Sequence, residues 1–326
     1  MLKKIDISSL YFDNSDDHKE VDNLLYAAAS ELGFAKITGI PNLVLSKKIR
    51  KKLLSIFDLP DEIKRKLYRW NFNKSNNNIY RGWFPVQDGL PTYKEGIDIG
   101  PDLIRLNQFI KNDPLTEPTP LPDESILPGW REKVQIYYET MELTGKLIMR
   151  SLARSLKINN NFFDKYFEKG ISTLRLLHYP IRDEKSFLGN KNTLLIEDGY
   201  LVAKPHFDSG FVTLLAQDEV YGLQAKSINN EWFDILPEEE TLVLNFGLLL
   251  QKWTSGKILA TSHRVIGYGE ERFSIPFFFE PSVESLIKPL HNGKTNNFKP
   301  FYYGDYLWNV TTKFVEQKGI KHFRKK

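Results

Sequence analysis

The feature that most constrains the fold is a succession of short β-type segments between about residues 172 and 281. Gly, Asn and Pro separate the segments, which recur at intervals of roughly 8–12 residues, a pattern typical of a β-sandwich or barrel. The predicted strands are Thr173–Tyr179, Tyr200–His206, Phe211–Gln217, Gly222–Ala225, Trp232–Ile235, Thr241–Phe246 and Arg272–Phe279.

The first half of the chain favours helices. Apolar residues between Asp16 and Leu32 follow the i, i+3, i+4 spacing of one helix face, and Gly33 ends the pattern. Short strands are predicted on either side, at Ile5–Leu10 and Phe34–Ile40. The longest helical pattern spans Leu127–Leu156. We therefore predict a helical N-terminal layer packed on a β-rich core.

The amino-acid composition limits the kinds of active site and partner that we expect. The 326 residues include no cysteine, which excludes disulfides, thiolate metal sites and a cysteine nucleophile. A metal ion would need His, Asp or Glu ligands. The net charge of +4 favours an ordinary solvated surface over nucleic-acid binding. The sequence contains no apolar run long enough to span a membrane and no signal peptide, so we expect a cytoplasmic protein with neither membrane nor nucleic-acid partners.

A His-x-Asp step carries the strongest chemical signal. Residues two apart on a strand point to the same face, so His206 and Asp208 would face one interior point. His263, which follows 54 intervening residues within a Ser-His-Arg-Val segment, is the candidate third ligand. Two imidazoles and one carboxylate leave coordination positions open, as Fe(II) oxygen chemistry requires. Taken alone, the step fits a hydrogen-bonded turn equally well, and zinc accepts the same ligands.

Nine residues after His263, Arg272 begins a predicted strand whose alternation puts Arg272, Ser274 and Phe278 on one face. A guanidinium donates two parallel hydrogen bonds to a carboxylate, which a lysine cannot copy. A hydroxyl at Ser274 would add a third. Beside a metal site, this pair favours an anchor for a dicarboxylic cosubstrate over an ordinary ion pair.

These motifs together resemble the isopenicillin N synthase-like branch of the Fe(II)/2-oxoglutarate-dependent dioxygenases. The resemblance covers nearly the whole chain. It includes Leu32-Gly-Phe-Ala-Lys-Ile-Thr-Gly near the N-terminus, Lys94-Glu-Gly-Ile-Asp-Ile-Gly before the core and Tyr303-Gly-Asp-Tyr-Leu near the end. It is specific for the family and says little about the substrate.

The resemblance implies a fold and a set of roles. The expected architecture is mainly β with helices: a double-stranded β-helix, or jelly roll, at 166–290, a helical N-terminal region at 1–165 and a helical tail at 291–326, forming one catalytic unit. His206, Asp208 and His263 match the metal ligands. Arg272, Ser274 and Tyr179 match the residues that bind 2-oxoglutarate. No further catalytic residue is implied, and the expected cofactors are Fe(II), 2-oxoglutarate and O2.

The expected reaction is the oxidation of an unactivated C–H bond in a small, natural-product-type molecule, by hydroxylation, desaturation or cyclisation, with release of succinate and CO2. The candidate substrate-binding residues are Phe278, Lys204, Arg81 and Trp83. Two alternatives stay open: an isopenicillin N synthase-like oxidase that does not use 2-oxoglutarate, and a non-catalytic small-molecule-binding protein on the same fold. The sequence makes no prediction of oligomeric state.

Overall fold

The computed structural model describes residues 2–12, 18–87, 93–105, 110, 112–183, 185, 188, 191, 193–196, 199–290 and 298–324, and the structural statements below concern these residues. The α-helices are α1 (His18–Glu31), α2 (Lys47–Leu54), α3 (Asp61–Lys66), α4 (Trp130–Ser155), α5 (Asp164–Phe167), α6 (Leu248–Trp253) and α7 (Tyr303–Thr311). Short 3-10 turns occur at Ser8–Tyr11, Ser55–Asp58, Pro101–Leu103, Pro114–Thr116, Val315–Gln317 and Lys321–Phe323.

Strands supply most of the core. They are β1 (Lys4–Asp6), β2 (Phe34–Thr38), β3 (Gly82–Phe84), β4 (Glu95–Ile99), β5 (Thr173–Tyr179), β6 (Leu195–Ile196), β7 (Gly199–His206), β8 (Val212–Gln217), β9 (Leu223–Lys226), β10 (Trp232–Asp234), β11 (Leu242–Phe246), β12 (His263–Gly267), β13 (Arg272–Phe279), β14 (Leu286–Ile287) and β15 (Phe301–Tyr302). Most predicted strands agree within one or two residues, but β12, which begins at His263, was not predicted.

Two sheets form the jelly roll that the sequence predicts. The larger has the strand order β1-β2-β11-β8-β13-β5-β4-β3, and the smaller has the order β10-β9-β12-β7-β6. A hydrophobic cluster between them draws residues from both sheets, among them Tyr179, Leu223, Val243 and Val265. The functional groups described below lie in this interior.

Strand alternation divides β13 between two environments. Phe277 faces the long helix α4, where its ring meets Tyr138 edge-on at 5.0 Å. Phe279 faces the same helix so closely that a Cβ at Gly145 would lie 2.6 Å from its ring. Helix α4 therefore covers the outer face of the larger sheet, while the alternate residues, including Arg272 and Ser274, face the interior.

The N-terminal region contributes more than the predicted helical layer. Strands β1 and β2 extend one edge of the larger sheet, and β4 and β3 extend the other. The predicted strand at Ile5–Leu10 is shorter than expected, since Ser8–Tyr11 forms a 3-10 turn. Strands β3 and β4 were not predicted, although β4 positions part of the cavity described below.

The C-terminal region packs against the core. Strand β15 pairs antiparallel with β14, and α7 follows directly. Tyr303 of α7 is buried, with its ring 5.9 Å from that of Phe211, and its hydroxyl donates to Glu280. Among the described helices, none has the length and apolar character needed to cross a bilayer.

Candidate metal centre and cosubstrate pocket

His206, Asp208 and His263 converge on one point. Each offers a potential ligand atom, and these atoms all lie within 4.8 Å of one another. His206 ends β7, His263 begins β12, and the two are direct cross-strand partners. Asp208 lies beyond the end of β7, so strand alternation accounts for His206 but not for the carboxylate. The chain turns after His206, and Phe207 is half-exposed between the two ligands.

Hydrogen bonds orient both imidazoles. Nδ1 of His206 lies 2.7 Å from the carbonyl oxygen of Lys204, and Nδ1 of His263 lies 3.1 Å from that of Thr261. A carbonyl only accepts, so each Nδ1 carries the proton and each Nε2 keeps a lone pair. Burial, and then the neighbouring His263, lowers the pKa of His206 to about 4. That ring is therefore neutral and able to bind a metal ion near pH 7.

The third ligand is held through one oxygen. Thr213 Oγ1 and Asn245 Nδ2 both donate to Asp208 Oδ2 at 2.6 Å. Oδ1 is left facing the imidazoles, 3.6 Å from Nε2 of His263. Burial alone would raise the pKa of Asp208, but the imidazoles and these two hydrogen bonds hold it below its usual value. The arrangement presents one carboxylate oxygen beside two imidazole nitrogens, a donor set that suits Fe(II).

Arg272 is a buried cation whose donors are largely unused. The residue is 3% exposed, and neither Nε nor Nη1 has a hydrogen-bond partner among the described residues. Within the described part of the chain, its one hydrogen bond runs from Nη2 to Gln217 Oε1 at 3.5 Å, the limit of a weak contact. Asp218 lies close enough for the guanidinium to affect its pKa, but that carboxylate accepts from the backbone of Phe273. Leaving buried donors unpaired is costly, so this guanidinium fits a site that binds a carboxylate.

The other two predicted cosubstrate residues surround Arg272. Tyr179 is its cross-strand partner, with the guanidinium 5.1 Å from the centre of the tyrosine ring. Ser274 is buried on the same face of β13 and pairs with Gln217 of β8. Thr213, which binds Asp208, stands four residues before Gln217 on β8, roughly 13 Å away at strand spacing. One end of this interior thus presents the guanidinium of Arg272, and the other presents the cluster of His206, Asp208 and His263.

A cavity of about 460 Å³ opens beside the metal ligands. Phe278 and Lys204, two of the candidate substrate-binding residues, line this cavity. Its other walls come from the residue before β4, from β5, from the end of β13 and from the C-terminal segment after α7. These walls include Lys94, Thr173, Arg175, Glu280, Glu316 and Gln317.

Arg81 and Trp83 do not line this cavity. Both are fully buried; Arg81 donates to Thr173 Oγ1 and to the carbonyl of Ile171. The ring of Trp83 packs edge-on against Phe57 at 5.2 Å. The structure therefore places these two residues in the core, and only Arg81 adjoins the cavity, through Thr173.

The polar wall of the cavity was not predicted from the sequence. Asp98 of β4 and Arg175 of β5 are cross-strand partners, and Arg69 reaches the same carboxylate from outside the sheet. The available signal was the presence of charged residues inside otherwise apolar segments, as in Glu-Gly-Ile-Asp-Ile and Leu-Arg-Leu-Leu. The pairing of β4 with β5 could not be read from that signal.

Comparisons with known proteins agree with this geometry. Residues 172–281 match the model of the 2OG-Fe(II) oxygenase superfamily, and residues 2–124 match that of the non-haem dioxygenase N-terminal region named for morphine synthesis. The 2-oxoglutarate-Fe(II) type oxidoreductase hxnY of Emericella nidulans is 31% identical over 279 residues, covering 80% of this chain and 74% of the relative. Isopenicillin N synthase of Penicillium rubens is 28% identical, with coverage of 98% and 97%.

Solved structures extend the likeness to the fold. A full-length Neurospora crassa protein in complex with alpha-KG superposes with a TM-score of 0.81 at 25% identity, covering 96% of each chain. The same protein in complex with alpha-KG and 5-formyluracil gives a TM-score of 0.76 at 26% identity, covering 94% of each chain. The chain therefore belongs to the 2OG-Fe(II) oxygenase superfamily, as an oxidoreductase of the dioxygenase type that uses Fe(II), 2-oxoglutarate and O2.

Proposed function

We propose that this enzyme oxidises an unactivated C–H bond of a small organic molecule. Hydroxylation is the simplest outcome: substrate, 2-oxoglutarate and O2 give hydroxylated product, succinate and CO2. The observation that carries the assignment is the buried guanidinium of Arg272, whose free donors share one interior with His206, Asp208 and His263. A carboxylate anchor and a metal centre are the two groups that 2-oxoglutarate needs.

Each residue has a distinct task in this proposal. His206, Asp208 and His263 hold Fe(II), while Thr213 and Asn245 keep one carboxylate oxygen turned toward it. Arg272 and Ser274 bind the distal carboxylate of 2-oxoglutarate, and Tyr179 packs against the guanidinium. When bound, the iron and the keto acid supply the activation of O2. The protein orients both and excludes bulk water from the interior.

The substrate would occupy the cavity beside the metal ligands. Its volume of about 460 Å³ suits a small molecule. Phe278 offers an apolar wall and Lys204 a cation near the opening. A small-molecule substrate also agrees with the Neurospora crassa relative, which binds 5-formyluracil. We expect neither a nucleic acid nor a membrane as partner, and a natural-product-type molecule as substrate.

An anaerobic titration tests the proposal. Fe(II) and then 2-oxoglutarate are added to the metal-free protein while the visible absorption is recorded. We expect a new metal-to-ligand charge-transfer band, followed by succinate formation when air is admitted. Bound iron without a band, and oxygen consumption that ignores 2-oxoglutarate, would replace the proposal with an oxidase of the isopenicillin N synthase type. Failure to bind iron at all would support a non-catalytic binding protein.

A further inference from the structure

Two arginines share a single buried carboxylate beside the cavity. Arg175 donates to Asp98 through Nε at 2.5 Å and through Nη2 at 2.8 Å, and Arg69 binds the same carboxylate through Nη2. Asp98 and Arg69 are both completely buried. Burial alone would raise the pKa of Asp98, but the two guanidinium groups lower it to about 2. Two permanent positive charges therefore face one negative charge.

The neighbouring charges do not cancel this excess. Lys94 and Glu316 form their own ion pair at 3.1 Å, with side chains 12% and 7% exposed. The remaining contacts of Arg69 go to the backbone carbonyls of Gly82 and Glu316, which carry no net charge. Glu280 also lines the cavity and is bridged to Arg81 by the hydroxyl of Thr173. Counted over Arg69, Arg175, Asp98 and the Lys94–Glu316 pair, one positive charge is left over at this end of the cavity.

Of the two arginines, Arg175 is the one that reaches the cavity. Its side chain lines the cavity and is 22% exposed, whereas Arg69 is sealed behind it. Nη1 of Arg175 has no hydrogen-bond acceptor among the described residues. Asp98 accepts hydrogen bonds from the other two nitrogens, so the guanidinium is already fixed in place. Binding a ligand would therefore cost little side-chain conformational entropy. A preorganised donor of this kind suits a carboxylate.

A second unpaired group lines the same cavity. Gln317 is 2% exposed, and its Oε1 has no hydrogen-bond partner within the described part of the chain. A buried amide with an unused acceptor is costly unless a ligand completes it. A half-turn of the amide would instead present its N–H donors. Gln317 directly follows Glu316, so the C-terminal segment brings this amide to the charged end of the cavity.

The space between this end and the metal is lined by an aromatic ring. The guanidinium of Arg175 lies 5.7 Å from the centre of the ring of Phe278, a residue that is the cross-strand partner of both Thr213 and Thr173. Two strand spacings separate Thr213, which binds Asp208, from Thr173, or roughly 10 Å. A ligand held at Arg175 would therefore lay an apolar body along Phe278 toward the metal.

We propose that the substrate carries an anionic group, in the simplest case a carboxylate, which Arg175 binds at the end of the cavity opposite the metal. This rests on the proposed function, since it assigns the substrate of the same site. The carbon that is oxidised then lies several bonds from the carboxylate, on an apolar body that contacts Phe278. With its amide turned so that the N–H groups face the ligand, Gln317 donates a further hydrogen bond at the same end.

Matched acids and amides test the assignment without knowledge of the natural substrate. The probes are phenylacetate, cinnamate and hexanoate, each compared with its primary amide. Calorimetric titration into the anaerobic Fe(II)–2-oxoglutarate protein gives their affinities. The charge-transfer band is monitored throughout, so that displacement of 2-oxoglutarate from Arg272 is recognised. We expect at least one acid to bind roughly 10- to 100-fold more tightly than its amide, as a charge-assisted hydrogen bond predicts.

Variants locate the effect. Arg175→Gln should abolish the preference for acids, whereas Lys257→Gln, which removes an exposed charge away from the cavity, should keep it. Arg175→Lys preserves the buried charge beside Asp98 but removes the guanidinium fork, so it tests the same contact if Arg175→Gln fails to fold. Equal affinity for acids and amides, no binding of either, or a preference for acids that is undiminished in a folded Arg175 variant would overturn the proposal. A missing charge-transfer band in the wild type would instead overturn the proposed function.

Discussion

His206 and His263 are cross-strand partners on β7 and β12, with ring centres 4.2 Å apart. The next pair along is Val265 with Ala203, so β7 advances three residues while β12 advances two. The extra residue forms a bulge that contains Lys204 and Pro205, and proline suits it because it has no N–H to pair. The bulge lets the carbonyl of Lys204 turn back to His206 and fix its ring. The backbone register thus aims the first metal ligand.

Removal of the carboxylate ligand should abolish iron binding. Asp208→Ala leaves two imidazoles, which are too few to retain Fe(II) against a chelator. We expect substoichiometric iron after desalting, with an unchanged far-ultraviolet circular dichroism spectrum. Asp234→Ala, which removes an exposed carboxylate, is the control. Full iron occupancy in the Asp208 variant would contradict the ligand assignment.

Loss of the buried guanidinium should weaken 2-oxoglutarate binding. Arg272→Leu removes the charge-assisted hydrogen bonds to the distal carboxylate, which predicts a loss of roughly 10- to 100-fold in affinity. Arg272→Lys should recover little, because an ammonium cannot form the two parallel hydrogen bonds. The anaerobic charge-transfer titration measures both, and Arg131→Leu on the exposed face of α4 is the control. Unchanged affinity would reject the anchor.

Arg272 should favour 2-oxoglutarate binding while lowering the stability of the protein without 2-oxoglutarate. In the protein without 2-oxoglutarate, Arg272 keeps two donors unpaired among the described residues of the interior. Arg272→Met fills a similar volume without a charge, so we expect the free energy of unfolding to rise by about 1–3 kcal/mol. Added 2-oxoglutarate should stabilise the wild type and not the variant. Urea unfolding with and without 2-oxoglutarate measures both effects, and a destabilised variant would count against an unsatisfied cation.

The two hydrogen bonds to Asp208 Oδ2 should strengthen the binding of Fe(II). Thr213→Val removes one donor at nearly constant volume, and Asn245→Leu removes the other. Partners of metal ligands typically contribute about 10- to 100-fold to metal affinity, so we expect each variant to bind Fe(II) more weakly by that order. Competition with a colorimetric chelator gives the affinities. Thr241→Val, which breaks only a local contact to the Glu239 carbonyl, should behave as wild type.

Glu280 should make stability depend on pH. Burial raises its pKa to about 7, although Arg81 and hydrogen bonds from Tyr303 and Thr173 oppose the change. The folded protein therefore binds a proton that the unfolded chain has released, between the ordinary pKa of about 4.3 and pH 7. The stabilisation that this bound proton gives the folded protein is fully present below about pH 4.3. It is lost as the pH rises to about 7, which lowers the free energy of unfolding by up to roughly 3 kcal/mol.

The variant Glu280→Gln keeps the hydrogen-bonding shape and removes the titration. Urea unfolding of the metal-free protein at pH 5.5 and pH 8 compares it with the wild type. We expect the wild type to lose more stability than the variant over this interval. Equal losses would mean that Glu280 is ionised at both pH values.

The sequence by itself determined the β-rich core, the two histidines with their carboxylate, and Arg272 on one face of a strand. These follow from local rules, because strand alternation and residue chemistry act over a few neighbours. It did not determine that His263 begins a strand paired with β7, since that strand is short and lacks a distinctive pattern. The sequence also suggested Arg81 and Trp83 as substrate-binding residues, whereas both side chains are buried in the core of the structure.

Only the tertiary structure decided what surrounds the metal. Thr213 and Asn245 meet Asp208 because β8 and β11 are neighbours in the larger sheet. Asp98 and Arg175 meet because β4 pairs with β5 across a separation of 77 residues. Contacts over such distances are set by strand order and register, which depend on how the whole core packs and leave little trace in any local stretch of sequence.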